Sequence, residues 1–212
     1  PGVQYLRKLI LAKNKDGFGI KDIKIAATVF FRTHFILLKS YVQQEEYARM
    51  PTLILEFEQG LEKYGEYIPV GRKIPMYHNV AMALFKQKKY FEAEKWLLKI
   101  IGLRPSKEIN VEVQTFSKVL RVVIYYEEGE YTLIDNTLNS NIKFLEKQRP
   151  KINPPELIDC AKFLIRQIRK AAFLEKKEKI KTFEHIHQTI QQKWKHLPLS
   201  EFKAWLLEQI HK

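Results

Sequence analysis

"ALFKQKKYFEAEKWLLKII", residues 83–101, decides how the rest of this chain is read. Apolar residues recur there at three- and four-residue intervals on both sides of Lys88-Lys89-Tyr90, which leaves almost no loop. That pattern is two short amphipathic helices in a tight hairpin. A lone helical hairpin cannot bury its own apolar faces, so neighbouring units have to supply the cover.

Two further segments carry the same signature of a bulky helix, a polar tight turn and a tyrosine that opens a second helix. They are "LLKSYVQQEEYARM" (37–50) and "VVIYYEEGEYTLI" (122–134), beside "VAMALFKQKKYFEA" (80–93). The marker tyrosines Tyr47, Tyr90 and Tyr131 stand 43 and 41 residues apart. Near-equal spacing of matching units is the sequence mark of a repeat array. Working outward, the periodicity predicts helices at 3–13, 22–42, 45–64, 75–88, 91–103, 110–128, 131–147, 155–178, 180–194 and 199–210. Breaks are expected at Asp16-Gly17, from Gly65 through Gly71 to Pro75, from Gly102 to Pro105, at Gly129 and at Pro154-Pro155.

Residues 77–105 resemble a tetratricopeptide repeat. Tyr77 stands as the large residue opening the first helix, Val80, Ala81 and Leu84 as its packing positions, Tyr90 after the turn and Ala93 where the helices cross. Leu97, Ile100 and Pro105 complete the unit. The first and third units depart from that pattern, with Met50 and Ile134 at the small-residue position and Lys118 and Arg121 where apolar residues belong. Residues 120–147 and the tail "EFKAWLLEQI" (201–210) also resemble uncharacterised repeat proteins of Bacteroidetes bacteria, a likeness that carries no activity.

The tetratricopeptide resemblance implies an all-α, right-handed α–α superhelix. Its units would be three hairpins over 22–149 (22–64, 74–107 and 110–147), with 1–21 as the end of a preceding repeat and 150–212 as capping helices. It also implies a concave groove lined by the first helix of each hairpin. On this chain the groove would show Arg32, Phe35 and Lys39, then His78, Asn79, Met82, Phe85 and Lys86, then Phe116, Val119, Val123 and Tyr126. Such a surface takes a peptide or an amphipathic helix. The competing reading is that these side chains are core, covered by the protein's own final helices. Asn79 matches one position of the family's carboxylate clamp, but the apolar third unit argues against that clamp.

Bulk composition narrows the classes. At 212 residues the chain can bury a sizeable core, and 8 glycines with 9 prolines are too few for an all-β fold. The single cysteine, Cys160, excludes an internal disulfide framework and sits in an apolar helical pattern, where it reads as a small hydrophobe. The longest apolar run, "IAATVFF" (25–31), is far below the roughly 20 residues of a membrane span. The lone cysteine fits a reducing, cytoplasmic home, and "PGVQYLRKLILAKNK" lacks the features of a signal peptide. Because the chain opens at Pro1 directly in a helical pattern, it is expected to be the C-terminal piece of something longer.

No catalytic constellation emerges, and neither a cofactor nor a metal is called for. "GEYIPVGRKIP" (65–75) lacks the glycine spacing of a phosphate loop. His185 and His187 lie two apart on a predicted helix and point different ways. The net charge of +13 concentrates between Lys143 and Lys181, with twelve basic against five acidic residues. There Lys162, Arg166, Arg169 and Lys170 share one helical face. That stripe suits phosphates or an acidic protein, although aromatic rings for base stacking are missing. The expectation is a non-enzymatic interaction module for a protein or peptide. The rivals are a nucleic-acid-binding helical protein and a structural domain that assembles a larger chain.

Overall fold

The computed structural model describes residues 22–44, 46–104, 109–197 and 199–212. The helix expected at 3–13 lies outside them. Among the described residues the chain is all-α, with nine α-helices and no strand. They are α1 (Ile23–Gln43), α2 (Met50–Tyr64), α3 (Val70–Lys86), α4 (Tyr90–Ile101), α5 (Val111–Glu128), α6 (Tyr131–Gln148), α7 (Glu156–Ala172), α8 (Lys176–Lys193) and α9 (Ser200–Ile210). They form two compact units that divide at Asn110. The third hairpin thus groups with the C-terminal helices, where the sequence alone suggested a boundary near residue 150.

Local chemistry explains several helix ends. The Asp22 carboxylate caps α1 by accepting from the Lys24 and Ile25 amides at 2.8 and 3.4 Å. Pro51 stands in the first turn of α2, where a missing N–H costs nothing. Two expectations need correction. Pro75 does not open a helix but lies inside α3, which starts at Val70 behind Pro69. It therefore forgoes only one early backbone bond, and Lys73 Nζ ties the entry back to the Gly65 carbonyl at 3.1 Å. The long helix expected over 155–178 ends at Ala172, and Phe173, Leu174 and Glu175 turn the chain into α8.

One backbone hydrogen bond recurs along the chain. Each of the three first helices closes with the amide of the residue before the marker tyrosine bonding five residues back. These bonds run from Glu46 to the Tyr41 carbonyl (2.9 Å), Lys89 to Leu84 (3.0 Å) and Glu130 to Tyr125 (2.8 Å). In the second and third the companion bonds Lys88 to Phe85 (2.8 Å) and Gly129 to Tyr126 (3.2 Å) complete a Schellman turn. That turn needs a left-handed residue, supplied by Lys88 at φ +59° and Gly129 at φ +75°. Tyr90 and Tyr131 then open α4 and α6, whereas Tyr47 heads a 3-10 turn before α2.

In unit 1, α1 packs on α2 and α3, and α3 lies along α4. The core gathers Leu38, Tyr41, Phe57, Ile74, Val80 and Leu97, all at most 1% exposed. Ala93, fully buried, sits in the α3–α4 crossing. In unit 2, α7 packs on α5, α6 and α8, and α9 packs on α8. By length and composition alone α1 could cross a bilayer. In the fold seven of its positions from Ala27 to Tyr41 are buried, while Ile25, Val29 and Ile36 stay exposed.

Candidate functional site

The structure treats the twelve expected groove positions in two ways. In unit 1 none of the eight is fully buried. Arg32, Lys39 and Lys86 are exposed, and Phe35, His78, Asn79, Met82 and Phe85 are half-buried. Lys39 lies over the Phe35 ring at 5.1 Å, and Phe85 pairs with Tyr90 at 5.6 Å. In unit 2 the corresponding face of α5 is covered from within. Val119 and Val123 are completely buried, and Phe116 stacks on Phe202 of α9 at 6.0 Å. Tyr126 meets Trp205 edge-on at 6.0 Å and Phe183 at 5.4 Å. Burial pushes its hydroxyl up to about 12, helped by Tyr131 and Glu127 nearby. Those four residues are packing, because α8 and α9 have their own apolar faces to hide.

The α9 helix is fastened as well as packed. Glu127 accepts hydrogen bonds from Trp205 Nε1 and Gln209 Nε2, both at 2.7 Å, and from Lys212 Nζ at 3.1 Å. The irregular Lys118 is likewise explained. Its ammonium reaches Asn141 Oδ1 at 3.3 Å and lies 4.6 Å from the Phe144 ring centroid, and burial lowers its pKa.

The basic stripe on α7 is half neutralised. Lys162 pairs with Glu146 and Arg169 with Asp135, while Arg149 binds Asp159 and Glu146. Arg166 and Lys170 are exposed, with no ion pair among the described residues. Two open cations make a weak phosphate track, since non-specific affinity scales with the number of phosphates neutralised. Cys160 is buried, and its thiol is pushed up to about 12 by desolvation, so it is not a nucleophile. Among the described residues no three His, Cys, Asp or Glu side chains gather into a metal site. His185 instead packs edge-on against Phe163 at 6.0 Å.

A further open site was not among the sequence candidates. Between α2 and α4 in unit 1 lies a groove of about 360 Å³. Pro51, Ile54, Leu55, Leu84 and Trp96 give it apolar walls, and Lys89, Lys95, Lys99, Glu58 and Glu92 complete the lining. Leu55 is 55% exposed. Lys99 Nζ lies 3.7 Å from the Trp96 ring centroid and 3.9 Å from Glu58. Burial drives the Lys99 pKa below its ordinary value, outweighing the opposite pull of Glu58. Next to the groove Lys95 covers the Phe91 ring at 4.2 Å, and Phe91 and Leu98 stand 64% and 45% exposed. The sequence held one signal for this groove. Leu53, Ile54, Leu55 and Phe57 are one apolar residue too many for a single buried face, and Leu55 is the surplus one.

Compared with known proteins, the chain matches no protein family, no curated protein and no solved structure.

Proposed function

We propose that this chain is a non-enzymatic protein-interaction module whose hairpins stack as a tetratricopeptide-type superhelix. Its partner would be an amphipathic helix with an acidic edge. The observation that carries the reading is the α2–α4 groove, an apolar trough with three lysines against two glutamates. Apolar anchors of a partner helix would seat on Leu55 and Trp96, as in helix-in-groove recognition. A partner carboxylate would complete the neutralisation of Lys99, which Glu58 alone leaves underpaid by its burial. The Schellman turn shared by the second and third hairpins supports the stacked-hairpin part of the reading.

The test measures binding of helical peptides of matched length that differ only in whether one edge carries Glu or Lys. The acidic peptide binds and the basic one does not. Leu55→Glu abolishes that binding while shifting Tm by little, because Leu55 already faces water. Equal binding of both peptides, or binding that survives Leu55→Glu, removes the groove from the account.

A further inference from the structure

The α2–α4 groove of unit 1 has two banks of opposite charge. Pro51, Leu55 and Glu58 form the α2 bank, and the exposed Glu62 continues that stripe one helical turn further on. The α4 bank carries Lys89, Lys95 and Lys99, with Glu92 as the one acid among its lining residues. Glu58 and Glu62 stand four residues apart, and so do Lys95 and Lys99. Both charge pairs therefore repeat at about 6 Å along their helices.

The chain does not neutralise these banks by itself. Lys99 and Glu58 approach only to 3.9 Å, with 43% and 47% of their side chains exposed, which is a loose contact. Glu62 and Lys95 are exposed and make no ion pair among the described residues. Apolar surface accompanies both banks. Leu55 is open on α2, and Phe91 and Leu98 flank Lys95 on α4. An exposed aromatic and two exposed leucines around one groove differ from the scattered single apolar residues of an ordinary surface.

An acidic helix edge with a leucine, beside a basic edge with a phenylalanine and a leucine, is self-complementary. A two-fold axis sets one patch against its own copy, so each contact between unlike edges occurs twice. The amphipathic helix with an acidic edge that this groove suits is present in the chain itself, as α2.

We propose that the chain forms a two-fold dimer in which the Leu55–Glu58–Glu62 edge of α2 in each copy docks on the Phe91–Lys95–Leu98–Lys99 edge of α4 in the other. The inference rests on the helix-in-groove reading above and names its partner. The patch is small, so the dimer belongs with weak, concentration-dependent interfaces.

Sedimentation velocity of the full chain, from about 10 µM to about 1 mM, reads the association. The buffer holds about 0.15 M salt, which screens the +13 on each copy beyond about 8 Å. The expected result is a sedimentation coefficient that rises reversibly with concentration. Two charge-swapped chains then test the contact. Glu58→Lys with Glu62→Lys makes both banks basic, and Lys95→Glu with Lys99→Glu makes both acidic. Either chain alone associates more weakly than wild type by about tenfold or more, because like charges meet. Their equimolar mixture recovers the association, because unlike banks now meet at both contacts. Misfolding cannot produce that rescue. A wild-type chain that stays monomeric over the whole range overturns the proposal, and so does a mixture no more associated than its components. In a chain that stays monomeric, binding of the acid-edged helical peptide leaves the groove reading standing and removes only the second copy as its partner. Absence of peptide binding removes both.

Discussion

Lys88 shows how a single residue can reveal the architecture. It holds φ +59°, a conformation that costs an L side chain about 1 kcal/mol or more, in the same turn position where the next hairpin has Gly129. The turn geometry therefore overrides residue preference. Lys88→Gly should raise unfolding stability by about 0.5–1 kcal/mol and Gly129→Ala should lower it by about 1 kcal/mol, both read from urea melts. His34 gives a pH dependence with a definite sign. Burial lowers its pKa below 6.5, with the Phe30 carbonyl opposing, so the unfolded chain binds this proton more tightly. The contribution is complete above about pH 6.5 and is lost progressively as pH falls below it. The stability difference between wild type and His34→Phe should vary with pH only on the acid side. At Ala93, fully enclosed at its helix crossing, leucine should cost about 1–3 kcal/mol by overpacking.

Among the elements, α9 is the one whose place depends most on a single polar group. Glu127 satisfies Trp205, Gln209 and Lys212 together, so Glu127→Leu leaves two part-buried donors without an acceptor. Charge-assisted hydrogen bonds of this kind contribute about 1.5–3 kcal/mol, and the loss should appear as easier quenching of tryptophan fluorescence at lower urea. The covering of α5 by α9 also reverses what Tyr126 was expected to do. Tyr126→Ala should behave as a core truncation costing about 3 kcal/mol, not as a silent loss of binding. Helix positions were legible from periodicity, but two ends were not. Pro75 was read as a start because its tolerance inside α3 depends on the entry at Pro69, and the break at Phe173 has neither glycine nor proline to announce it.

For the whole molecule, the net charge of +13 survives folding, since each ion pair removes one charge of either sign; pairing only decides which cations of the α7 stripe stay open. With Arg166 and Lys170 as the open members of the α7 stripe, any nucleic-acid binding there should show a log–log salt slope no steeper than about −2. Fluorescence anisotropy with a short duplex over a salt series would measure it, and a steeper slope would restore the nucleic-acid reading. The two-unit division has the same origin. Once the apolar faces of α5 to α9 find one another, the third hairpin's strongest allegiance is to the C-terminal helices, whatever its resemblance to the second.

The sequence by itself determined the helical class, the matching turns before Tyr90 and Tyr131, and those two marker tyrosines. Those depend on local spacing and backbone conformation, which neighbouring residues specify. Only the tertiary structure decided which apolar face stays open. Leu55 and Val123 are alike in sequence terms, yet one lines a groove and the other is completely buried within unit 2. Burial is a property of the assembled neighbours, and no local pattern contains it.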